Sequence, residues 1–246
     1  MRVTICGSLS IETTTGVFDE TDLPGRLGRR LWVYLVLNRR RPAGRGELVT
    51  ALWGEESPDA SDASLNALVS RVRALLARAD AAAALRRAAS GYQLSLPGSA
   101  FVDHERAWTA IHHVQSLRRH GDIAGAWAEA VIANEIAARG FLHGEDGEWI
   151  EAERRTLADI EVQALEAIGD AELDRGRPDE AERVARRLIA ASALRESGYR
   201  LLMRALAAEG NGAQASQVMA ECRAALALAE ASPSAETERV FREIRS

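Results

Sequence analysis

Ser64, Asn66, Ala67, Ser70, Arg71, Arg73 and Arg78 fall in and just beyond the stretch Asp59 to Leu76, and their types suit the reading of DNA. Arg pairs bidentately with guanine and Asn with adenine in the major groove, and small residues let a helix sink between the phosphate backbones. Leu65, Val69, Val72 and Leu76 recur at helical spacing and mark a buried stripe. The opposite face carries Ala63, Ala67, Ser70, Arg71, Ala74 and Arg78, with Asn66 and Arg73 on one flank and Ser64 on the other. The acidic, Ser-rich turn before the stretch supplies N-cap candidates. An ordinary surface helix can show the same small-plus-Arg face, so the neighbouring segments decide.

Those neighbours complete a helix-turn-helix with a wing. Leu27 to Leu37 is strongly apolar and of helical length, and a short connector, Arg39 to Gly44, follows it. Arg45 to Trp53 then sets Leu48, Leu52 and Val49 inward and stops at Gly54, the usual position for a C-terminal glycine. After the candidate reading helix, Tyr92, Leu94 and Leu96 alternate with polar residues beyond a Ser-Gly turn, the period of a half-buried strand. Together with the strand-like opening Arg2 to Ile11, this predicts a winged helix whose Arg86 and Arg87 lie near the DNA backbone.

Other chemistries find little footing. His104, His112, His113, His120 and His143 form no metal-ligand spacing with carboxylates, and Asp103-His104-Glu105 reads as the capped first turn of a helix. No phosphate-binding glycine loop, nucleophile elbow or cysteine-based catalytic motif is present, so neither catalysis nor a metal or other cofactor is expected. Cys6 and Cys222 lie far apart and read as ordinary buried thiols. Trp53, Trp108, Trp127 and Trp149 are expected as core anchors. No apolar run has the length of a membrane span and no signal peptide is evident, so a soluble cytoplasmic, nucleoid-associated protein without membrane contact is expected.

Charge divides the chain. The net charge is −5, yet residues 1–97 hold 13 arginines against 10 carboxylates and residues 98–246 hold 18 against 26. A basic front suits phosphate contact and an acidic rear does not. All 31 basic residues are Arg, which codon bias in a GC-rich genome explains.

From about residue 98 only helical periodicity remains, over Val102 to Arg119, Ile123 to Arg139, Glu148 to Arg175, Asp179 to Ala190, Arg195 to Glu209 and Ala213 to Glu230. The turns beginning at Gly121, Gly176 and Gly210 share a Gly, a polar residue and an Ala five positions on, and the last two begin 34 residues apart, the tetratricopeptide period. Stacked helix pairs of this kind bind peptides or proteins. Gly140 to Gly147 interrupts the pattern and reads as a loop that packs Phe141 and Leu142 onto neighbouring helices.

Leu-Trp-Gly at 52–54, Val-Ser-Arg-Val-Arg at 69–73 and Gly-Tyr-Gln-Leu at 91–94 resemble the winged-helix domain of the Streptomyces antibiotic regulatory protein family of transcriptional activators. Phe141-Leu142, Glu148 to Arg154 and Ser232 to Thr237 resemble the bacterial transcriptional activation domain that follows it in that family. The resemblance runs from about residue 1 to about 244. It departs at Gly44, where a Ser or Thr cap is usual, at Gln93, where an Arg is usual, and at Ala227 to Ser232, which lacks a Leu-Gly element.

The expected fold is therefore mostly α with a small β component: a response-regulator-type winged helix over 1–97 and an all-α tetratricopeptide-like domain over 98–246. The expected function is sequence-specific activation, through double-stranded promoter DNA and RNA polymerase. The resemblance implies direct repeats near the promoter, a homodimer or tandem pair on DNA, and control of secondary-metabolite genes. It also implies polymerase contact, at the sigma and alpha subunits, through Glu55, Glu56, Asp59 and Asp62 and through the helical domain. The rival readings are an interaction adaptor or a ligand sensor whose winged helix does not read DNA.

Overall fold

A computed structural model of the chain describes residues 1–54, 59–80, 82–89 and 91–245. Its elements run in the order β1 (Arg2–Thr4), β2 (Ser10–Thr13), β3 (Gly16–Asp19), α1 (Gly25–Leu37), β4 (Ala43–Gly44), α2 (Arg45–Trp53) and α3 (Ser61–Ala79), then β5 (Ala84–Ala88), β6 (Gly91–Ser95) and β7 (Phe101–Val102). Helices follow: α4 (Asp103–Arg119), α5 (Ile123–Ala137), α6 (Glu148–Asp174), α7 (Pro178–Ala191), α8 (Glu196–Ala208), α9 (Gly212–Ala227) and α10 (Ala235–Arg245). Two compact units emerge, one of residues Met1–Arg106 with Arg139–Arg154 and the other of Ala107–Ala138 with Arg155–Ser246.

In the first unit, strands β3-β2-β1-β7 form one sheet and β4-β6-β5 a second. The N-terminal stretch, read in the sequence as one strand-like opening, is a meander: Val3 pairs with Ile11 and Ile11 with Phe18, while β7 joins parallel to β1. Alternation puts Val3 and Ile11 in the core. Helix α1 buries Leu31, Trp32, Val33, Leu35 and Val36, so its second half is apolar almost all round, as a central helix must be. It packs against α2 and α3.

The segment 139–154 folds with this unit. Phe141 packs its ring edge-to-face on Trp149 of α6, as expected against a helix, and its backbone also forms a β-bridge with Cys6; it is buried, as is Leu142. Glu145 meets Arg26 Nε at 2.7 Å and Arg30 Nη1 at 3.7 Å, and the Ala51 carbonyl accepts from both Arg30 Nη2 and Trp149 Nε1 at 2.9 Å. Asp103 opens α4 as expected, but its buried carboxylate also accepts the backbone N–H groups of Ile5 and Cys6 at 2.9 and 3.1 Å. Burial, partly offset by these bonds, raises its pKa. His104 Nε2 lies 3.0 Å from Glu153 Oε2.

In the second unit α7 packs on α8, α8 on α9, and α10 on both α8 and α9. The shared turns have one geometry. Gly121, Gly176 and Gly210 each adopt positive φ, 75°, 69° and 79°. At each turn the glycine N–H bonds three residues back and the following N–H five back, as Asp122 does to Leu117, Arg177 to Glu172 and Asn211 to Leu206. This is the Schellman arrangement, which needs a residue without a Cβ penalty. The recurring Ala126, Ala181 and Ala215 are buried where the next helix starts.

The tryptophan expectation needs correction. Trp108 is 42% exposed, stacked at 5.4 Å on His112, and Trp53, Trp127 and Trp149 are only part-buried, with the Trp127 indole N–H on Glu172. The fully buried indole is that of Trp32. Cys6 and Cys222 are free and buried, and burial pushes the Cys222 thiol up to about 11. Among the described residues no helix is long and apolar enough to cross a membrane, and no group of His, Cys, Asp or Glu side chains could hold a metal ion.

Candidate nucleic-acid interface

Helix α3 forms because its apolar residues line one stripe: Leu65, Leu68, Val69, Val72, Leu75, Leu76 and Ala79 are all buried. Each fully buried Leu or Val of this set contributes roughly 1.5–3 kcal/mol. The expected side-chain cap is absent: the N-cap is Ala60, and Asp62 acts in the first turn, where a carboxylate favours the helix dipole. At the far end the Thr15 hydroxyl donates to the Ala79 carbonyl at 2.7 Å, and Arg78 reaches Asp22 at 3.3 Å across the Phe18 ring.

The opposite face is open. Ala63, Asn66, Ala67, Ser70, Arg71, Arg73, Ala74, Ala77 and Arg78 are exposed and Ser64 is part-exposed. Small side chains thus alternate with Arg and Asn along a face that is exposed among the described residues. Arg73 and Asn66, on the flank, are held: Arg73 Nε donates to the Leu85 carbonyl at 2.8 Å with its guanidinium 5.6 Å from the Tyr92 ring, and Asn66 Oδ1 accepts from Tyr92 OH and from Arg45 Nη1, both at 3.1 Å.

The wing stands beside that flank. Leu85 pairs with Leu94, Arg86 with Gln93, Arg87 with Tyr92 and Ala88 with Gly91. Directly opposed residues share a sheet face and neighbours alternate. Arg87 therefore shares the face of Leu85, Leu94 and Tyr92, the face that meets α3, and Arg86 lies on the other with Gln93. Strand β4 approaches β6 so closely that a Cβ on Gly91 would stand 1.9 Å from the Ala43 carbonyl oxygen.

The cations sort by pairing. Arg39 binds Glu105 through two 2.7 Å bonds, Arg41 binds Glu47, and Arg45 binds Asp62 at 2.7 Å. Arg71, Arg86 and Arg87 have no ion pair or hydrogen bond among the described residues. Glu47 deserves its place at the third position of α2: Arg41, against partial burial and with help from Tyr34 OH and the Gly44 N–H, pulls its pKa down to about 2. Gly44 has no side chain to give, so its N–H to Glu47 at 3.1 Å supplies half of a capping box.

Of the acidic polymerase-contact candidates, Asp59 and Asp62 are exposed, while Glu55 and Glu56 lie outside the described residues. Arg45 and Tyr92 are the residues beside the candidate interface that sequence reasoning missed. Tyr92 stood in the quoted Gly-Tyr motif and Arg45 opens α2, but their meeting with Asn66 spans 26 and 21 residues.

Residues 102–245 match the family described as bacterial transcriptional activator domain, and residues 25–94 match that described as transcriptional regulatory protein, C terminal. Regulatory protein AfsR of Streptomyces coelicolor is 33% identical over 199 residues, 81% of this chain and 20% of AfsR. Transcriptional regulatory protein EmbR of Mycobacterium tuberculosis is 44% identical over 71 residues, 28% of this chain and 18% of EmbR. The chain thus spans about a fifth of the length of these curated relatives. The solved structure of M. tuberculosis EmbR in complex with a low-affinity phosphopeptide superposes with a TM-score of 0.88 at 23% identity, covering 99% of this chain and 64% of that one, and so shares its fold. With a winged helix that presents an open α3 and more than half its length matching the activator domain, the chain belongs to the Streptomyces antibiotic regulatory protein family of transcriptional activators.

Proposed function

We propose that the chain is a sequence-specific activator that binds direct repeats beside a promoter and recruits RNA polymerase. The observation that carries this reading is the α3 face, where small residues flank Arg71, a guanidinium that no described residue pairs. In the major groove Arg71 and Ser70 reach base edges, Ser64 and Ala67 let the helix seat, and Arg73 contributes from the flank. Arg87 holds the phosphate backbone from the α3 side of the wing, with Arg86 on its outer face. Arg78, already tied to Asp22, adds a more distant phosphate contact.

Two copies bind as a homodimer or tandem pair, on repeats roughly one helical turn apart so that both lie on one face of the duplex. Asp59 and Asp62 with Glu55 and Glu56, and the helical domain of 98–246, meet polymerase at its sigma and alpha subunits, while 1–97 reads DNA. The chain acts from the cytoplasm on genes such as those of secondary metabolism; the matched relatives, named regulatory proteins, support only the regulatory part of this reading.

Selection from a random DNA pool near physiological salt, with wild type and Arg71→Ala, tests the reading. Enrichment of a direct repeat that Arg71→Ala binds more weakly by about 1–3 kcal/mol supports it. A pool left flat by the wild type rejects it in favour of a partner-binding adaptor.

A further inference from the structure

We propose that Asn66 selects guanine, not the adenine that asparagine ordinarily reads, because Arg45 and Tyr92 hold its amide with the oxygen turned inward. The inference rests on α3 being the reading helix. Arg45 Nη1 lies 3.1 Å from Asn66 Oδ1 and 3.0 Å from Tyr92 OH, and Tyr92 OH lies 3.1 Å from the same Oδ1. A guanidinium can only donate, so the amide atom facing Arg45 is the oxygen. The Tyr92 hydroxyl accepts from Arg45 and passes its own proton to Oδ1, so both lone pairs of that oxygen are engaged. Asp62 fixes Arg45 in turn through Nη2 at 2.7 Å, and Tyr92 is buried in β6. The amide is locked from elements on both sides of it.

Nδ2 is what remains, on an exposed residue, with no partner among the described residues. Adenine recognition needs an amide oxygen to accept from N6 while the amide nitrogen donates to N7. Here no acceptor is left, and the adenine amine would face a donor and stay unpaired. Guanine offers two adjacent acceptors, N7 and O6, to a group that can only donate, whereas thymine offers O4 alone beside its methyl group. Cytosine offers its N4 amine and is excluded for the same reason as adenine.

The test uses the full chain on its selected site, with each base placed in turn at every position. Wild type should prefer guanine over adenine at one position by roughly five-fold or more. Asn66→Ala should lose that preference and leave the other positions unchanged. Asn66→Asp keeps an oxygen toward Arg45 and Tyr92 but puts an acceptor where Nδ2 was, so the preference should move to cytosine, a change that a purely structural role would not produce. Adenine preferred at the Asn66-dependent position overturns the proposal, and so does a selected site in which no position responds to Asn66. If the wild type enriches nothing, the DNA-reading function itself is lost and this inference with it.

Discussion

Asp62 shows how one side chain can work against the surface it belongs to. Its carboxylate stands in the first turn of α3 and holds Arg45 at 2.7 Å, with the two side chains 75% and 34% exposed. An exposed pair of this kind contributes at most about 1 kcal/mol to stability, and the helix dipole adds a few tenths more. On DNA the same carboxylate would occupy a cation that could otherwise neutralise a phosphate. Asp62→Asn should therefore lower stability by less than about 1 kcal/mol yet tighten DNA binding, with the log–log salt slope steeper by about 0.9 as Arg45 gains a phosphate. Binding isotherms on the selected site across a salt series measure this, and weaker binding with an unchanged slope would show that Arg45 stays off the backbone. Arg71 and Ser70 were legible in the sequence because helical projection alone exposes them. The fixed orientation of Asn66 was not, because the atoms that fix it come from α2 and β6, far off in the chain.

Helix ends carry the next level of control. Three turns of the second unit place glycine at positive φ, but the turn after α9 places Glu230 there, at 56°. Its bonds follow the same pattern, Glu230 N–H to Ala227 and Ala231 N–H to Leu226. A side chain in that conformation costs roughly 1–2 kcal/mol, against the roughly 0.5–1 kcal/mol of extra entropy that glycine loses on folding. Glu230→Gly should stabilise the chain by up to about 1 kcal/mol. Gly210→Ala, where a Cβ would meet nothing within 4 Å, should destabilise it by about as much through conformation alone. Urea midpoints read both changes, and a destabilised Glu230→Gly would mean the glutamate side chain contributes more than its backbone costs. The glycine turns were visible as a repeat because the same backbone need recurs. Helix α10 was not, since the Leu-Gly stop before it is absent and Pro233 masks its start. Its anchor is tertiary: Ser234 donates to Glu196 at 2.8 Å, and buried Thr237 accepts from Arg200 at 3.0 Å. The hairpin of β2 and β3 escaped for a similar reason, its strands being four residues each and part-polar.

At the scale of the whole molecule, composition and contact divide the chain differently. Charge and periodicity change near residue 97, because a winged helix must attract phosphates and a helical repeat need not. Contacts instead group 139–154 with 1–106, because the first unit needs what that segment brings. Phe141 and Ile150 are 1% and 0% exposed there, and each such burial is worth roughly 1.5–3 kcal/mol. Asp103 satisfies two buried backbone donors of the chain after β1, and β7 extends the first sheet. No local pattern announces any of this, since the partners lie about a hundred residues apart in the chain. A fragment of residues 1–97 keeps α1, α2, α3 and the wing but loses Asp103, β7, Phe141, Trp149 and Ile150. A domain of that size is stable by only about 5–15 kcal/mol, and these losses consume most of it. The fragment should therefore unfold at a much lower urea concentration than the winged helix does within the full chain, or show no cooperative transition. Amide-exchange protection of α3 in the two forms is the direct comparison, and equal protection would show that α3 is held by its own three-helix core alone.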